Sequence, residues 1–177
     1  MSQSQTPQDT PSAQGNLDHL GQFTDEELAY HEAGHAVIHA KEGGTISRLS
    51  IVRTDPAIGT HTDSSPPKPA SPPALARDPE KVRHWIDMLL AGEATGYVRG
   101  RRRPESSVGD RKQAFLAART VAKDDAAAQA MVDAQWDGVV AQLRDPATWR
   151  KVETLAGELT QRGTLDGDEI ARLLDSA

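Results

Sequence analysis

Apolar residues recur at helical spacing over most of the chain, but its first stretch carries almost none of them. Residues 1–22 are rich in Ser, Gln, Pro, Thr, Asp and Gly. Such a segment cannot bury enough apolar surface to offset the entropy that is lost on ordering. We therefore predict a disordered N-terminal tail over residues 1–22 and one folded domain over residues 23–177.

The first helix is predicted from a start signal, an apolar pattern and a stop signal. Thr24 can accept a hydrogen bond from the backbone N–H of Glu27, whose carboxylate can bond back to Thr24, and this pair makes a capping box. Small and apolar residues then recur at helical spacing in Leu28, Ala29, Ala33, Ala36, Val37 and Ala40. The helix should end at Gly43-Gly44, because glycine adopts a positive φ at little cost.

A strand is predicted after this helix, since Thr45–Arg53 alternates imperfectly between apolar and polar residues. Asp55-Pro56 favours a turn, after which Ala57–Thr62 could return as a second short strand. Residues 63–79 hold six of the eleven prolines, so we expect an extended surface loop there.

The rest of the chain is predicted to be helical, because its apolar residues form one face of each segment and Gly, Pro and Ser separate the segments. The predicted helices are Glu80–Val98, Asp110–Ala128, Ala130–Arg144, Pro146–Arg162 and Asp166–Ser176. Pro146 suits a first helical position, Gly163 suits a helix end, and Asp166 with Glu169 offers a second capping box. The predicted fold class is α+β, mostly helical, with a small two- or three-stranded sheet beside the first helix.

Composition narrows the chemistry that this domain can carry. The 177 residues have a net charge of −6, no Cys and 4% aromatic residues. Without Cys there is no disulfide framework and no thiolate ligand, so a metal site must use His, Asp, Glu and water. The acidic balance argues against nucleic acid as the main partner. No apolar run approaches the length of a membrane span, and we expect a cytoplasmic protein.

The first helix contains the pattern His-Glu-x-x-His. His31 and His35 lie one turn apart on the same helix face, so both imidazoles can reach one metal ion while Glu32 lies beside it. This arrangement is typical of zinc hydrolases, although two surface histidines on a helix would give the same pattern. The extended metzincin pattern requires Gly at position 38 and His at position 41, where this chain has Ile38 and Lys41.

Four segments resemble the peptidase domain of the FtsH-type family of zinc proteases. The resemblance covers roughly residues 28–122. It is carried by Tyr30–Val37, Leu49–Arg53 with Ile58–Thr60, Leu90–Gly92 and Gly109–Ala114. The family usually continues its Leu-Ala-Gly segment with two small residues and Glu, whereas this chain has Glu93-Ala94-Thr95-Gly96.

The resemblance implies a zinc-dependent metallopeptidase in which His31, His35 and Asp110 bind Zn²⁺ and Glu32 is the catalytic base. The substrates would be peptides or flexible protein segments, hydrolysed by a zinc-activated water. Asp110 can lie at a helix N-terminus, where the macrodipole favours its ionised form. The 177 residues hold neither an AAA+ ATPase nor a membrane-spanning segment, so we expect a stand-alone peptidase.

Several alternatives stay open on the sequence. Glu93 is a rival third ligand, although a solvated or capping charge is the simpler interpretation. His39 is expected on the helix surface, and His61 could stabilise an oxyanion or lie in a loop. Arg99 and Arg101–Arg103 could bind an anion, but a solvated loop is the commoner explanation. The alternative function is a catalytically inactive interaction module with a structural or vestigial zinc.

Overall fold

The computed structural model describes residues 23–52 and 78–177, apart from the side chains of residues 105 and 106. Six α-helices, a short 3₁₀ helix and two short strands make up this part of the chain. In chain order they are α1 (Asp25–Lys41), β1 (Arg48–Ser50), α2 (Pro79–Val98), the 3₁₀ helix (Pro104–Ser107), α3 (Val108–Arg119), α4 (Asp125–Arg144), α5 (Pro146–Arg162), β2 (Thr164–Asp166) and α6 (Gly167–Ser176). The predicted fold class, mostly helical α+β with a small sheet, is confirmed.

The local signals predicted from the sequence hold at several helix ends. Both capping boxes form, with Thr24 and Glu27 at the start of α1 and Asp166 and Glu169 at the start of α6. Pro146 occupies the first position of α5, and Gly163 ends that helix with φ 73°. The predicted tail over residues 1–22 lies outside the described residues, as do residues 63–77 of the predicted loop.

Two predicted boundaries are wrong. The helix predicted over Asp110–Ala128 is divided, because α3 ends at Arg119 and α4 begins at Asp125. The Asp124 side chain accepts a hydrogen bond of 2.7 Å from the backbone N–H of Ala127, and an N-cap there starts a new helix. The loop predicted over residues 63–79 also extends one residue too far. Pro79 is the first residue of α2, a position where its missing N–H is not needed.

Strand β1 is shorter than the strand predicted over Thr45–Arg53. The strand that pairs with it, β2, comes from a distant part of the chain. Strands β1 and β2 run antiparallel, with Leu49 opposite Leu165. Both leucines are buried, so the pair faces the core. The sequence did not predict β2, and the predicted return strand Ala57–Thr62 lies outside the described residues.

Helix α2 is the centre of the domain. Its contacts extend to α1 on one side and to α3 and α4 on the other. One apolar cluster joins α1, the sheet, α5 and α6 with Ala91 and Ala94 of α2 and the second half of α4. A second cluster joins α2, α3 and the first half of α4. Trp136 packs against both clusters. None of the described helices is long and apolar enough to cross a membrane.

Helices α1 and α2 approach closely where α1 carries Gly34. A Cβ atom at Gly34 would lie 2.8 Å from the carbonyl oxygen of Ala91 and 3.1 Å from Cβ of Thr95. The neighbour of Gly34 is therefore helix α2 and not a strand of the sheet. Burial of an α1 face on α2 therefore depends on a residue without a side chain.

We expect Gly34→Ala to destabilise the domain by about 1–3 kcal/mol, because the new methyl group overlaps backbone atoms that cannot move independently of α2. The matched control is Gly157→Ala in α5, where an added Cβ meets no atom of the described residues within 4 Å. That substitution should stabilise by about 0.5–1 kcal/mol through helix propensity. Urea unfolding of both variants measures the difference, and equal effects would contradict the close approach of α1 and α2.

Two carboxyl groups meet at the other end of the α1–α2 contact. Glu42 caps the C-terminus of α1 and forms a hydrogen bond with Asp87 of α2. Burial, followed by the charge of Asp87 and this hydrogen bond, raises the pKa of Glu42 to about 8. The pair therefore holds a proton at neutral pH that the unfolded chain would release.

The unfolding free energy should fall as pH rises from about 5 to about 8. The folded protein keeps the Glu42 proton up to a pKa of about 8, whereas the unfolded chain loses it near the ordinary value of 4.5, so rising pH favours unfolding. Denaturant unfolding at a series of pH values measures this slope. Glu42→Gln should flatten the slope, and Asp137→Asn, an exposed position in the middle of α4, should leave it unchanged. A slope that survives in Glu42→Gln would contradict the shared proton.

Candidate metal centre

Helix α1 holds the two histidines on the face that it turns toward α2. Their Nε2 atoms lie 3.0 Å apart. Nδ1 of His35 lies 2.6 Å from the carbonyl oxygen of Met88, which can only accept a hydrogen bond. His35 Nδ1 therefore carries the proton in this bond, and its Nε2 keeps a lone pair directed toward His31.

Asp110 completes a group of three ligand atoms. It lies in the first turn of α3, where the helix macrodipole favours a negative charge. Its Oδ2 atom is 3.5 Å from Nε2 of His31 and 3.8 Å from Nε2 of His35. Among residues 23–52 and 78–177, this is the one group of three or more His, Asp or Glu residues close enough to hold a metal ion.

The three atoms fit a metal ion of the size of zinc. A tetrahedral zinc with bonds of about 2.0–2.1 Å separates its ligand atoms by about 3.3–3.4 Å. The separations here of 3.0, 3.5 and 3.8 Å lie on both sides of that value. Two imidazole nitrogens and one carboxylate oxygen are also a common donor set for a divalent metal.

Gly92 of α2 leaves the space in which these atoms meet. A Cβ atom at this position would lie 2.5 Å from Nε2 of His35 and 2.6 Å from Nδ1 of His31. No side chain fits there without displacing both rings. A glycine within α2 is therefore a requirement of the site, beyond any effect on helix stability.

The charges of the group support one another. Burial alone would raise the pKa of Asp110, but the hydrogen bond from His31 and the charges of both histidines lower it below its ordinary value. Burial alone would lower the pKa of His31, but the bond to Asp110 and the charges of Glu32, Asp110 and Glu93 raise it. The two shifts show that His31 and Asp110 each stabilise the charged form of the other, and that three carboxylates act on His31.

Glu32 lies between His31 and His35 in sequence and is buried, with 6% of its surface exposed. Its charge contributes to the raised pKa of His31. The Asp110 side chain keeps 30% of its surface exposed, whereas those of His31 and His35 keep 14% and 11%. The group is therefore accessible from the Asp110 side, as a site that admits water must be.

The interpretation of Glu93 as a solvated charge is wrong. It is buried in α2 and binds the guanidinium groups of Arg102 and Arg111. Arg111 follows Asp110 in α3, so this ion pair fixes the start of α3 against α2. Glu93 acts on the geometry of the group, and Asp110, not Glu93, is near the histidine nitrogens.

The other candidates from the sequence lie elsewhere or in ion pairs. His39 is half-buried over Gly44 and does not belong to the metal-binding group. His61 lies outside the described residues. Arg99, Arg102 and Arg103 form ion pairs with Glu26, Glu93 and Glu27, and the side chain of Arg102 is also exposed to solvent, as expected of a solvated loop.

A cleft opens beside His31. It is lined by Phe23, Glu27, Tyr30, His31, Gly92, Glu93, Gly96, Arg99, Arg101 and Arg103. The described lining comes from the first turns of α1, from α2 and from the loop that follows α2. None of it comes from β1, so pairing of a peptide with the strand over Thr45–Arg53 stays a prediction.

Comparison of the chain with protein-family models and with curated protein sequences gives no match. The resemblance to the FtsH-type peptidases therefore stays a prediction that rests on the quoted motifs. The geometry of the site stands independently of it, because the distances above follow from the fold alone.

Two contributors to the site were not predicted from the residue pattern. The carbonyl of Met88 has no sequence signal, since every residue carries one. Gly92 had a weak signal, because a glycine inside a helical pattern indicates a close approach. The sequence could not show that the neighbours would be the two histidine rings.

We expect Gly92→Ala to weaken metal binding by about 10- to 100-fold, because the added methyl group displaces both imidazole rings from their shared position. Gly109→Ala is the matched control. It lies next to Asp110, and an added Cβ there meets no described atom within 4 Å. Titration with Zn²⁺ followed by calorimetry measures both affinities. Equal affinity of the two variants would contradict the placement of Gly92 at the site.

Proposed function

We propose that the protein is a zinc-dependent metallopeptidase that hydrolyses peptide bonds in peptides or flexible protein segments. The observation that carries the proposal is the convergence of His31 Nε2, His35 Nε2 and Asp110 Oδ2, together with the buried Glu32, whose charge acts on His31. Three protein ligands and an accessible side are typical of a catalytic zinc, whereas structural zinc sites usually have four protein ligands.

Zinc at these three atoms would supply Lewis acidity, which lowers the pKa of water and polarises a scissile carbonyl. His35 is oriented for binding by its hydrogen bond to Met88, and Asp110 supplies the negative charge. Glu32 would accept a proton from the attacking water and deliver it to the leaving amine.

Glu32→Gln should retain zinc and lose activity by about 10²- to 10⁴-fold, because the amide has the shape of the carboxylate but cannot accept the proton. Asp110→Ala should lose zinc and activity together, because two imidazoles alone bind the ion weakly. Asp137→Ala, an exposed position on α4, is the control for loss of one acidic residue. Metal analysis and a quenched-fluorescent peptide library give the two measurements.

Different outcomes contradict different parts of the proposal. Full zinc occupancy in Asp110→Ala would remove Asp110 from the ligand set. Activity retained by Glu32→Gln would remove Glu32 as the base. A wild-type protein that binds zinc and cleaves no peptide would favour the interaction module.

A further inference from the structure

The proposed peptide hydrolysis makes no use of the carboxyl pair formed by Glu42 and Asp87. Glu42 caps the C-terminus of α1, and its side chain shares a hydrogen bond with that of Asp87 on α2. Only 7% of the Asp87 surface is exposed, and Gln135 of α4 donates a hydrogen bond of 2.6 Å to its Oδ1 atom. Two carboxyl groups can share a hydrogen bond only when one of them holds a proton. This contact between α1 and α2 therefore depends on protonation.

The carboxyl pair can exchange its proton with solvent, because both groups line one open cleft. From α4 this cleft is lined by Gln135, which carries no charge, and its other charged residues come from α2 and its N-cap, namely Asp78, Glu80, Arg83 and His84. Burial raises the pKa of Glu42 to about 8, although Lys41 acts against this shift. Burial also raises the pKa of Asp87 above its ordinary value, against the effects of Gln135 and His84. The pair therefore loses its shared proton in mildly alkaline solution.

The residue after Asp87 is the one that orients His35. The carbonyl oxygen of Met88 accepts a hydrogen bond of 2.6 Å from Nδ1 of His35, and this bond directs Nε2 toward the other ligand atoms of the candidate metal centre. His35 and Glu42 both belong to the second half of α1 and its cap, and Asp87 and Met88 are consecutive in α2. The carboxyl pair and the histidine bond thus connect the same two helices at neighbouring points.

We propose that the carboxyl pair is a proton-dependent contact that holds α1 on α2 at the candidate metal centre, so that metal affinity falls when the shared proton is lost. With both groups ionised, two negative charges stand at hydrogen-bond distance, and their repulsion separates them. Glu42 then leaves Asp87, and the end of α1 loses a contact with α2. The bond between His35 and Met88 becomes easier to break. This inference needs the metal centre but does not need the protein to be a peptidase.

The first test is the affinity of the metal-free protein for Zn²⁺ at a series of pH values, measured by competition with a chelator. Between about pH 7 and about pH 9.5 the wild type should lose about five- to tenfold in affinity relative to Glu42→Gln. The amide of Gln donates a hydrogen bond to Asp87 at every pH, so that variant keeps the contact. Hydrolysis of Zn²⁺ affects all variants equally, and Asp137→Asn, an exposed change on α4, should follow the wild type.

Glu42→Ala provides the opposite variant, because it removes the contact at every pH. At about pH 7 it should bind Zn²⁺ about five- to tenfold more weakly than the wild type, and its affinity should show no further loss relative to Glu42→Gln as pH rises. Far-UV and near-UV circular dichroism at each pH verify that the compared proteins are folded.

The second test uses linkage, which requires the metal and the proton to affect each other reciprocally. Bound Zn²⁺ should raise the pH midpoint at which the Glu42 carboxyl titrates by up to about one pH unit, as followed by ¹³C NMR. In the metal-free protein, the Nδ1–H resonance of His35 should shift at that midpoint in the wild type and stay in place in Glu42→Gln. A pair that only stabilises the fold would change the unfolding free energy and leave both signals unaffected.

The outcomes separate this inference from the proposed function. Equal pH dependence of Zn²⁺ affinity in the wild type and in Glu42→Gln would overturn the coupling and leave the peptidase in place. A Glu42 midpoint that does not move when Zn²⁺ binds would also overturn it. A wild type that shows the coupling and cleaves no peptide would support this inference and contradict the peptidase.

Discussion

The close contact between α1 and α2 is the constraint on which the site depends. Gly34 of α1 admits the backbone of α2 at Ala91, and Gly92 of α2 admits the rings of His31 and His35. The two glycines act in opposite directions across one interface, since each makes room for atoms of the other helix. The packing of α1 on α2 therefore also sets the geometry of the candidate metal centre. Moving α1 away from α2 would separate His35 from the carbonyl of Met88.

A second interaction fixes Asp110, the third residue of the candidate metal centre. Asp110 lies on α3, which reaches the histidines only because α3 is held against α2. The buried carboxylate of Glu93 binds Arg111, the residue after Asp110, and Arg102 in the preceding loop. A buried charge without partners is costly, so the two arginines and Glu93 hold one another in place. Glu93 thus positions Asp110 and does not itself belong to the group of three residues that could hold a metal ion.

Local signals in the sequence predicted local structure well. The capping boxes at Thr24 and Asp166, the pattern of α1 and the candidate ligands on one helix face all depend on residues a few positions apart. The features that the sequence did not predict, or predicted wrongly, depend on residues that are far apart in the chain. Strand β2 pairs with a segment more than a hundred positions earlier, Glu93 is buried by arginines from two other elements, and Gly92 matters only because His31 and His35 lie opposite. The resemblance to the FtsH-type peptidases implied that Asp110 lies near the histidines. In the structure Asp110 lies near them because α3, which carries it, packs against α2.

The most direct test of the metal centre is zinc K-edge X-ray absorption on the zinc-loaded protein. The group of His31, His35 and Asp110 predicts two imidazole ligands, with the remaining ligands oxygen, at about 2.0–2.1 Å. Replacement of either histidine should reduce the imidazole scattering by half. A spectrum with oxygen ligands alone, or one that does not change when His31 or His35 is replaced, would contradict the site.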